Sequence, residues 1–202
     1  AERAERGKVG LERLHADLKA GRYRAQPLKR VYIEKEDGKQ RPLSIPVLED
    51  KIIQRAVVIL LNAIYENDFL DCSYGYRPGR SPHQAVDAIR KTIIFGKVNY
   101  VLDADIHDYF GSMVRSELMK MLEKRIGDKN LLRLIGKWLH VGVIEDGRLL
   151  SAEVGTYQGS VISPVLANIY LHEVLDHWME REVKPRMKGE VHLFRFADDL
   201  IA

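Results

Sequence analysis

Aspartates occur at two places in the sequence where short apolar segments end. Asp103 and Asp105 close one such segment, and the adjacent pair Asp198 and Asp199 separates two others. Adjacent carboxylates repel each other unless a positive charge compensates them. If the segments are neighbouring strands of one sheet, three carboxylates converge, and oxygen ligands without histidine or thiol favour Mg²⁺ or Mn²⁺. Two such ions about 4 Å apart could stabilise the attacking and leaving oxygens of an in-line phosphoryl displacement.

The residues near these aspartates make that interpretation more specific. An aromatic residue, Phe110, comes five positions after Asp105. Segment 155–160, with the sequence Gly-Thr-Tyr-Gln-Gly-Ser, precedes a predicted helix, and its small residues would let a nucleotide approach the backbone closely. An Asp-Asp pair alone is common in turns, so the interpretation depends on these neighbours.

Apolar periodicity predicts the elements that hold these residues. Helices are expected over 8–20, 48–65, 82–95, 114–126, 129–140 and 163–182. Strands are expected over 31–35, 41–45, 99–105, 192–197 and 200–202, with a further hairpin over 143–152. Ser81 is the predicted N-cap of the third helix, and Asp-Gly pairs mark the turns of the first two hairpins. The mixture predicts an α+β fold in one unit.

The charge is nearly balanced, with 32 basic and 29 acidic residues giving a formal net charge of +3. Residues 19–41 nevertheless carry a local basic excess, which could contact phosphates or could simply be a solvated surface. Arg77 and Arg80 lie in a segment rich in glycine, proline and tyrosine. Arginines mixed with aromatic residues are typical of nucleic-acid binding.

Several protein classes are excluded by composition. The single cysteine, Cys72, cannot form an internal disulfide bond. The seven histidines are scattered, so the sequence predicts no zinc module. No apolar run approaches the about 18 residues that a membrane span requires, and no signal peptide opens the chain, so neither a secreted nor a membrane protein is expected.

Five sequence blocks, in a fixed order, resemble the fingers and palm of reverse transcriptases. The resemblance is strongest to the group II intron-encoded reverse transcriptase/maturase proteins of bacteria. The blocks are 35–46 (Lys-Glu-Asp-Gly-Lys-Gln-Arg-Pro-Leu-Ser-Ile-Pro), 71–81 (Asp-Cys-Ser-Tyr-Gly-Tyr-Arg-Pro-Gly-Arg-Ser), 104–106 (Ala-Asp-Ile), 158–171 (Gln-Gly-Ser-Val-Ile-Ser-Pro-Val-Leu-Ala-Asn-Ile-Tyr-Leu) and 196–199 (Phe-Ala-Asp-Asp). The resemblance implies a right-hand polymerase with an antiparallel palm sheet and packed helices.

This resemblance also implies a division of the chain. The expected parts are fingers over 1–96, a palm strand over 97–113, fingers and palm helices with a hairpin over 114–150, and palm over 151–202. The thumb is expected to be absent, so that the natural protein would continue and this fragment alone would extend primers poorly.

The resemblance assigns the metal site residue by residue. Asp105, Asp198 and Asp199 would bind two Mg²⁺ ions, or Mn²⁺, with the Ile106 carbonyl as a further ligand. Asp105 is preferred to Asp103 because the family's aspartate is followed by Ile and then by an aromatic residue five positions on. Asp103 would remain structural or lie outside the inner ligand shell.

Further roles follow from the same resemblance. Phe110 would contact the sugar and exclude a 2′-hydroxyl. The other implied contacts are Lys35 and Arg41 with the triphosphate, Gln158 and Gly159 with the nucleotide, and Arg77 and Arg80 with template or intron RNA. For the last two arginines, fixing their own loop is the alternative.

Two residues depart from the family pattern. Phe196 replaces the usual tyrosine before Ala-Asp-Asp, which removes one hydroxyl and keeps the ring. Tyr157 replaces the proline of Gly-Thr-Pro-Gln-Gly, which removes a φ restriction and is expected to add bulk near the template path. Neither change affects a metal ligand.

The function implied is RNA-directed DNA polymerisation in the bacterial cytoplasm, using an RNA template, a DNA primer or target and deoxynucleoside triphosphates, together with binding of intron RNA as a maturase. One alternative is an RNA-binding maturase whose polymerase activity is dispensable. Another is a related reverse transcriptase in a CRISPR or phage-defence setting. A nucleotidyl cyclase is disfavoured by Lys35, Arg41 and the Gln158-Gly159 pair. The sequence does not set the oligomeric state.

Overall fold

Helices and short strands alternate along the chain in the computed structural model, which describes residues 2–34, 38–150 and 155–202, with side chains from residue 10 onward. The helices are α1 (Glu2–Lys19), α2 (Leu48–Tyr65), α3 (Pro82–Phe95), α4 (Tyr109–Ser112), α5 (Arg115–Arg125), α6 (Lys129–His140) and α7 (Ser163–Leu171). The strands are β1 (Leu28–Glu34), β2 (Gln40–Ile45), β3 (Asp103–Asp105), β4 (Val143–Glu145), β5 (Arg148–Leu150), β6 (Phe194–Phe196) and β7 (Asp199–Ile201). The predicted α+β fold is confirmed.

The strands form two separate sheets. The four-stranded sheet has the order β2-β1-β4-β5, with a parallel contact between β1 and β4 and antiparallel contacts elsewhere. The three-stranded sheet has the order β3-β7-β6 and is antiparallel throughout. It corresponds to the antiparallel sheet with packed helices that the sequence predicts.

Helices α2, α5, α6 and α7 enclose the main hydrophobic core. Leu61 of α2, Leu118 of α5, Ile135 of α6 and Leu166 of α7 are fully buried there. Helix α2 keeps the predicted bounds because its apolar residues recur on one face. Helix α3 begins at the predicted N-cap, where Ser81 and Gln84 form a reciprocal capping box.

A second, smaller core connects the four-stranded sheet to the segment after residue 155. Leu28 of β1, Val143 of β4 and Tyr157 pack together there. The backbone N–H of Ser44 in β2 donates to the carbonyl of Gln158 at 2.7 Å. These contacts attach the four-stranded sheet to the segment that precedes α7.

Two predicted elements are not regular over their expected length, and one short helix was not predicted. The strand expected over 99–105 is regular only at Asp103–Asp105, and one further pair of backbone bonds joins Leu102 to Ala202. The helix expected over 163–182 changes after α7 into π-helical turns at His172–Asp176 and Met179–Val183. A strand gains hydrogen bonds only as far as its neighbour extends, which the local apolar pattern cannot show. Helix α4 was not predicted.

The turn of the first predicted hairpin, at 35–37, and the end of the 143–152 hairpin lie outside the described residues. Within the part of the chain that the structure describes, none of the helices is both long and apolar enough to cross a bilayer.

Candidate active site

Strand register brings the sequence-predicted carboxylates together. Asp105 of β3 lies directly opposite Asp199 of β7. Residues opposite each other in an antiparallel pair have Cβ atoms about 4.5–5.5 Å apart and point to the same face. Asp103 shares that face because side chains alternate along a strand, and Asp198 occupies the turn just before β7. Asp105, Asp198 and Asp199 therefore meet at one end of the three-stranded sheet, and Asp103 lies on the same face two residues away.

The carboxylates form a negatively charged cluster. Burial and the charges of Asp198, Asp105 and Asp103 raise the pKa of Asp199 above its ordinary value. Among the side chains that the structure describes, from residues 10–34, 38–150 and 155–202, no basic group forms an ion pair with any of these four aspartates. Oxygen donors that lack a compensating cation fit divalent metal ions, because such ions bind carboxylate and carbonyl oxygens.

A cleft of about 490 Å³ lies beside the aspartates and between the two sheets. Six of the site residues predicted from the sequence line this cleft, namely Arg41, Asp105, Ile106, Phe110, Gln158 and Asp198. Asp199 and Gly159 lie next to this set in the chain. Arg30 of β1 also lines the cleft and was missed, because its only sequence signal was the general basic excess of residues 19–41.

One wall of the cleft is built from backbone contacts. The N–H of Thr156 donates to the carbonyl of Phe110 at 2.7 Å, and the N–H of Gly155 donates to that of Met113 at 2.8 Å. Gly155 has φ +86°, and a Cβ there would lie 2.6 Å from the carbonyl oxygen of Gly111. Only glycine combines that backbone conformation with that close approach.

The Gln158-Gly159 motif is held from two sides. Gly159 has φ +98°, and a Cβ at this position would lie 3.3 Å from the carbonyl oxygen of Ser44. On the other side, the buried side-chain oxygen of Gln54 in α2 accepts hydrogen bonds from the Ser160 hydroxyl at 2.9 Å and the Val161 N–H at 3.0 Å. Helix α2 and strand β2 therefore fix this motif together.

Arg195 supports the β6–β7 hairpin from the face opposite the aspartates. Its side chain is fully buried and donates to both carboxylate oxygens of Asp176. It also donates to the side chains of Asn168 and Ser73 and to the Ala197 carbonyl. The sequence signal for this role is an arginine between two phenylalanines in a predicted strand. A charged side chain that is buried in such a strand requires a partner of opposite charge.

The loop before α3 packs against the same hairpin. The N–H of Arg195 donates to the Cys72 carbonyl at 2.7 Å, and the N–H of Tyr74 donates to the Arg195 carbonyl at 2.8 Å. Asn168 in α7 donates to the Gly75 carbonyl at 2.6 Å. The 71–81 block thus acts as a backbone support for the turn that carries Asp198.

The two arginines predicted to contact RNA lie in different environments. Arg77 is buried and donates to the carboxylate of Glu66 and to the carbonyls of Leu70 and Ser73. This position corresponds to the loop-fixing alternative, since the Arg77 side chain is only 3% exposed. Arg80 is partly exposed and pairs with the exposed carboxylate of Asp71. Lys35, the second predicted triphosphate ligand, lies outside the described residues.

The two departures from the family pattern have different surroundings. The Tyr157 ring is buried in the small core, its hydroxyl donates to the Val141 carbonyl, and the Arg115 guanidinium lies 5.4 Å from the ring centroid. The ring therefore packs in the protein interior, and Tyr157 also borders the cleft beside the aspartates. The expected bulk near the template path stays a prediction. The Phe196 ring lies 6.5 Å from that of Tyr76, centroid to centroid.

A protein-family model described as "Reverse transcriptase (RNA-dependent DNA polymerase)" matches residues 33–202. The chain belongs to the reverse transcriptase family. This reverse transcriptase chain is 40% identical over 165 residues to the group II intron-encoded protein LtrA of Lactococcus lactis subsp. cremoris, covering 81% of the chain and 27% of LtrA. It is 39% identical over 185 residues to protein YkfC of Escherichia coli K12, covering 90% of the chain and 49% of YkfC. The chain thus spans half or less of these relatives.

A solved reverse transcriptase structure has the same fold. The chain described as "Partial Cas6-RT-Cas1--Cas2 complex" superposes with a TM-score of 0.57 at 28% identity, covering 98% of this chain and 32% of that one. The three-stranded antiparallel sheet with its aspartates thus corresponds to the palm sheet of a reverse transcriptase. Reverse transcriptases generally use divalent metal ions, which agrees with the oxygen donors of this site.

Proposed function

We propose that this chain is the fingers and palm portion of an RNA-directed DNA polymerase encoded by a group II intron. The observation that supports it most directly is the pairing of Asp105 with Asp199 beside a cleft that also contains Arg41 and Gln158. The substrates would be an RNA template, a DNA primer or target, and deoxynucleoside triphosphates. The same protein would bind its intron RNA as a maturase.

The aspartates would hold the divalent ions, which we assign to Mg²⁺ with Mn²⁺ as the alternative. Asp105, Asp198 and Asp199 would be the side-chain ligands, and the Ile106 carbonyl would be a further one. Bound ions would neutralise phosphate charge and stabilise the oxygens that attack and leave the reacting phosphorus. The converging carboxylates support this assignment, since their mutual repulsion favours any cation placed among them.

The chain's own residues would position the nucleotide. Arg41 lies in the cleft on the fingers side, where its guanidinium can donate two parallel hydrogen bonds to a phosphate. Phe110 lies beside Asp105, and its ring would pack against the sugar and leave no room for a 2′-hydroxyl. The Gln158 carbonyl already bonds to Ser44, so its side chain is held at the cleft wall.

A different biological setting for the same chemistry has one observation in its favour. The solved Cas6-RT-Cas1--Cas2 chain covers 98% of this chain, so a CRISPR-associated role is the second candidate. The identity to LtrA is higher, at 40% against 28%, and on this ground we propose the intron setting first.

Primer extension by the full-length protein tests the proposed activity. The assay uses a poly(rA) template, an oligo(dT) primer, dTTP and Mg²⁺. Asp105→Asn and Asp198→Asn should each abolish extension, because each removes a charged metal ligand. Asp103→Asn is the matched control, since it removes a carboxylate from the same strand face without removing a proposed ligand.

The outcomes separate the candidate functions. Extension by the wild type and Asp103→Asn, and none by the other two variants, would support the polymerase and its metal ligands together. Absence of extension by the wild type, with tight binding of intron RNA retained, would refute the polymerase and leave the maturase alternative.

A further inference from the structure

A second cluster of metal-ligating residues lies on the helix that continues α7. His172, Glu173 and His177 each offer one ligand atom, and these atoms all lie within 4.8 Å of one another. The three residues border a cavity of about 360 Å³ whose lining residues all differ from those of the active-site cleft. Two histidines that carry no zinc motif in the sequence thus lie close together in the fold.

A π-helical turn brings the two histidines together. On an α-helix with 3.6 residues per turn, residues five positions apart point in directions about 140° apart. Here the backbone N–H of His177 donates to the carbonyl of His172, which is the i→i+5 bond of a π-helix. The ring centroids consequently lie 4.2 Å apart. π-helical turns are rare and frequently occur at functional sites.

The buried histidine of the pair is already oriented. His172 is 3% exposed, and its Nδ1 has no hydrogen-bond partner and lies 3.8 Å from a carboxylate oxygen of Asp176. A proton on Nδ1 directed at this carboxylate would leave the Nε2 lone pair available to a cation. A carboxylate behind the imidazole is the usual orienting partner of a metal-ligating histidine.

The third candidate ligand, the Glu173 carboxylate, forms only a weak ion pair with Lys124. The carboxylate of Glu173 lies 3.4 Å from the ammonium nitrogen of Lys124, whose side chain is 69% exposed. An exposed ion pair contributes little free energy, so the lysine side chain can move into solvent and leave the carboxylate available to a cation. In the same cavity, the buried hydroxyl of Tyr65 has no hydrogen-bond partner among the described residues. A water bound to a cation there would offer that hydroxyl a partner.

We propose that His172, Glu173 and His177 bind one divalent transition-metal ion of the zinc class. Two imidazole nitrogens and one carboxylate oxygen are a donor set that Zn²⁺ accepts, with water as the fourth ligand. Imidazole ligands distinguish this site from the carboxylate site of the palm sheet, which suits Mg²⁺. The ion would fix the π-helical turn and, through Asp176, the arginine that supports the β6–β7 hairpin.

Titration of the full-length protein with Zn²⁺, and with Co²⁺ as a spectroscopic probe, tests the site. The Asp198→Asn/Asp199→Asn variant serves as the reference protein, because it removes ligands of the palm site. We expect one Zn²⁺ per chain, a visible Co²⁺ absorption band typical of nitrogen and oxygen ligands in a tetrahedral site, and no displacement by excess Mg²⁺. Zn²⁺ should also raise the unfolding temperature, because it binds only the folded site.

Substitutions in the reference protein test the ligands individually. His177→Ala and Glu173→Gln should each weaken Zn²⁺ binding by more than the about 10–100-fold loss that follows removal of an outer-shell partner. Lys124→Gln should instead strengthen binding, because it removes the competitor for Glu173. His192→Ala is the matched control, since His192 lies 3.6 Å from the carboxylate of Glu190 at an exposed position.

Unchanged binding in both Glu173→Gln and His177→Ala would overturn the proposal. So would equal loss in His192→Ala, or the absence of any saturable binding. The Lys124→Gln result keeps the test decisive even if a histidine variant fails to fold, because an exposed lysine does not support the core. Weaker binding in that variant would also count against the site.

Discussion

Arg195 donates to both carboxylate oxygens of Asp176, at 2.9 and 2.8 Å, and neither side chain is exposed to solvent. The pair joins the helix after α7 to strand β6, on the face of the palm sheet opposite the aspartates. Burial raises the pKa of Asp176, but the hydrogen bonds from Arg195 and the nearby charges outweigh this effect and hold the pKa below its ordinary value. The turn that carries Asp198 is therefore anchored by an ion pair that is buried away from solvent.

Replacing Arg195 with methionine should destabilise the protein strongly. The substitution leaves the Asp176 carboxylate buried without its partner, which typically costs about 3–5 kcal/mol. The free energy of unfolding from urea titration measures the effect. Arg125→Met is the matched control, because Arg125 forms an exposed ion pair with Asp68 and should cost no more than about 1 kcal/mol. An equal loss of unfolding free energy in the two variants would show that the buried Arg195 pair contributes no more to stability than an exposed pair.

Substitutions of the neighbouring aromatic residues Tyr109 and Phe110 should affect different properties, namely stability and sugar selectivity. The Phe110 ring lines the cleft, so Phe110→Ala should let the enzyme incorporate ribonucleotides more readily, measured as the ratio of kcat/KM for dTTP and UTP. The Tyr109 hydroxyl donates to the Ala167 carbonyl at 2.6 Å inside the core. Tyr109→Phe should therefore lower stability by about 1 kcal/mol and leave that ratio unchanged. A shift of the ratio in Tyr109→Phe alone would contradict this division of roles.

Local sequence patterns predict the elements whose bounds depend on residues close together in the chain. Helix α2 follows from apolar spacing and α3 from its Ser81 capping box. The aspartates of the palm sheet were predicted because carboxylates at strand ends are unusual. In each case the responsible interactions are close in sequence or follow from a single strand pairing.

The rest depended on contacts between distant segments. The partners of Arg195 come from three separate parts of the chain, and no spacing rule connects them. The π-helical turn at His172 also escaped prediction, because its apolar pattern fits an α-helix equally well. The choice between RNA and its own loop for Arg77 also depended on the position of Glu66, whose carboxylate lies 2.8 Å from the guanidinium.

Substitution of Arg77 should lower stability, whereas substitution of Arg80 should weaken RNA binding. Arg77→Met removes a buried guanidinium that is hydrogen bonded to Glu66, and it should lower the free energy of unfolding by about 1.5–3 kcal/mol. Its RNA affinity, measured by fluorescence anisotropy on folded protein, should remain unchanged. Arg80→Met should leave stability nearly unchanged and reduce the salt dependence of RNA binding by about one unit of slope.

The reverse pattern for these two arginines would be equally informative. A lower salt slope in Arg77→Met, with stability retained, would show that the arginine leaves its buried position to contact RNA. An unchanged slope in Arg80→Met would remove the last of the two predicted RNA contacts in this loop.

Cys72 should resist alkylation in the folded protein, because burial raises the pKa of its thiol to about 12. With an unfolded pKa of about 8.5, about a quarter of the thiol is ionised at pH 8, against about one part in ten thousand in the folded state. A thiol pKa that is higher in the folded state stabilises the protein fully below about pH 8.5, and this contribution is lost as pH rises towards 12.

Iodoacetamide labelling at pH 8 measures this protection directly, and the reaction is unambiguous because Cys72 is the only cysteine in the chain. Labelling should be slow in buffer and fast in urea. The Cys72 carbonyl accepts a hydrogen bond from the backbone N–H of Arg195, so labelling also reports opening of the loop that supports the Asp198 turn. Arg195→Met should therefore accelerate labelling, while Arg125→Met should not. Rapid labelling of the wild type in buffer would show that the loop opens freely, and the turn that carries Asp198 would then need another anchor.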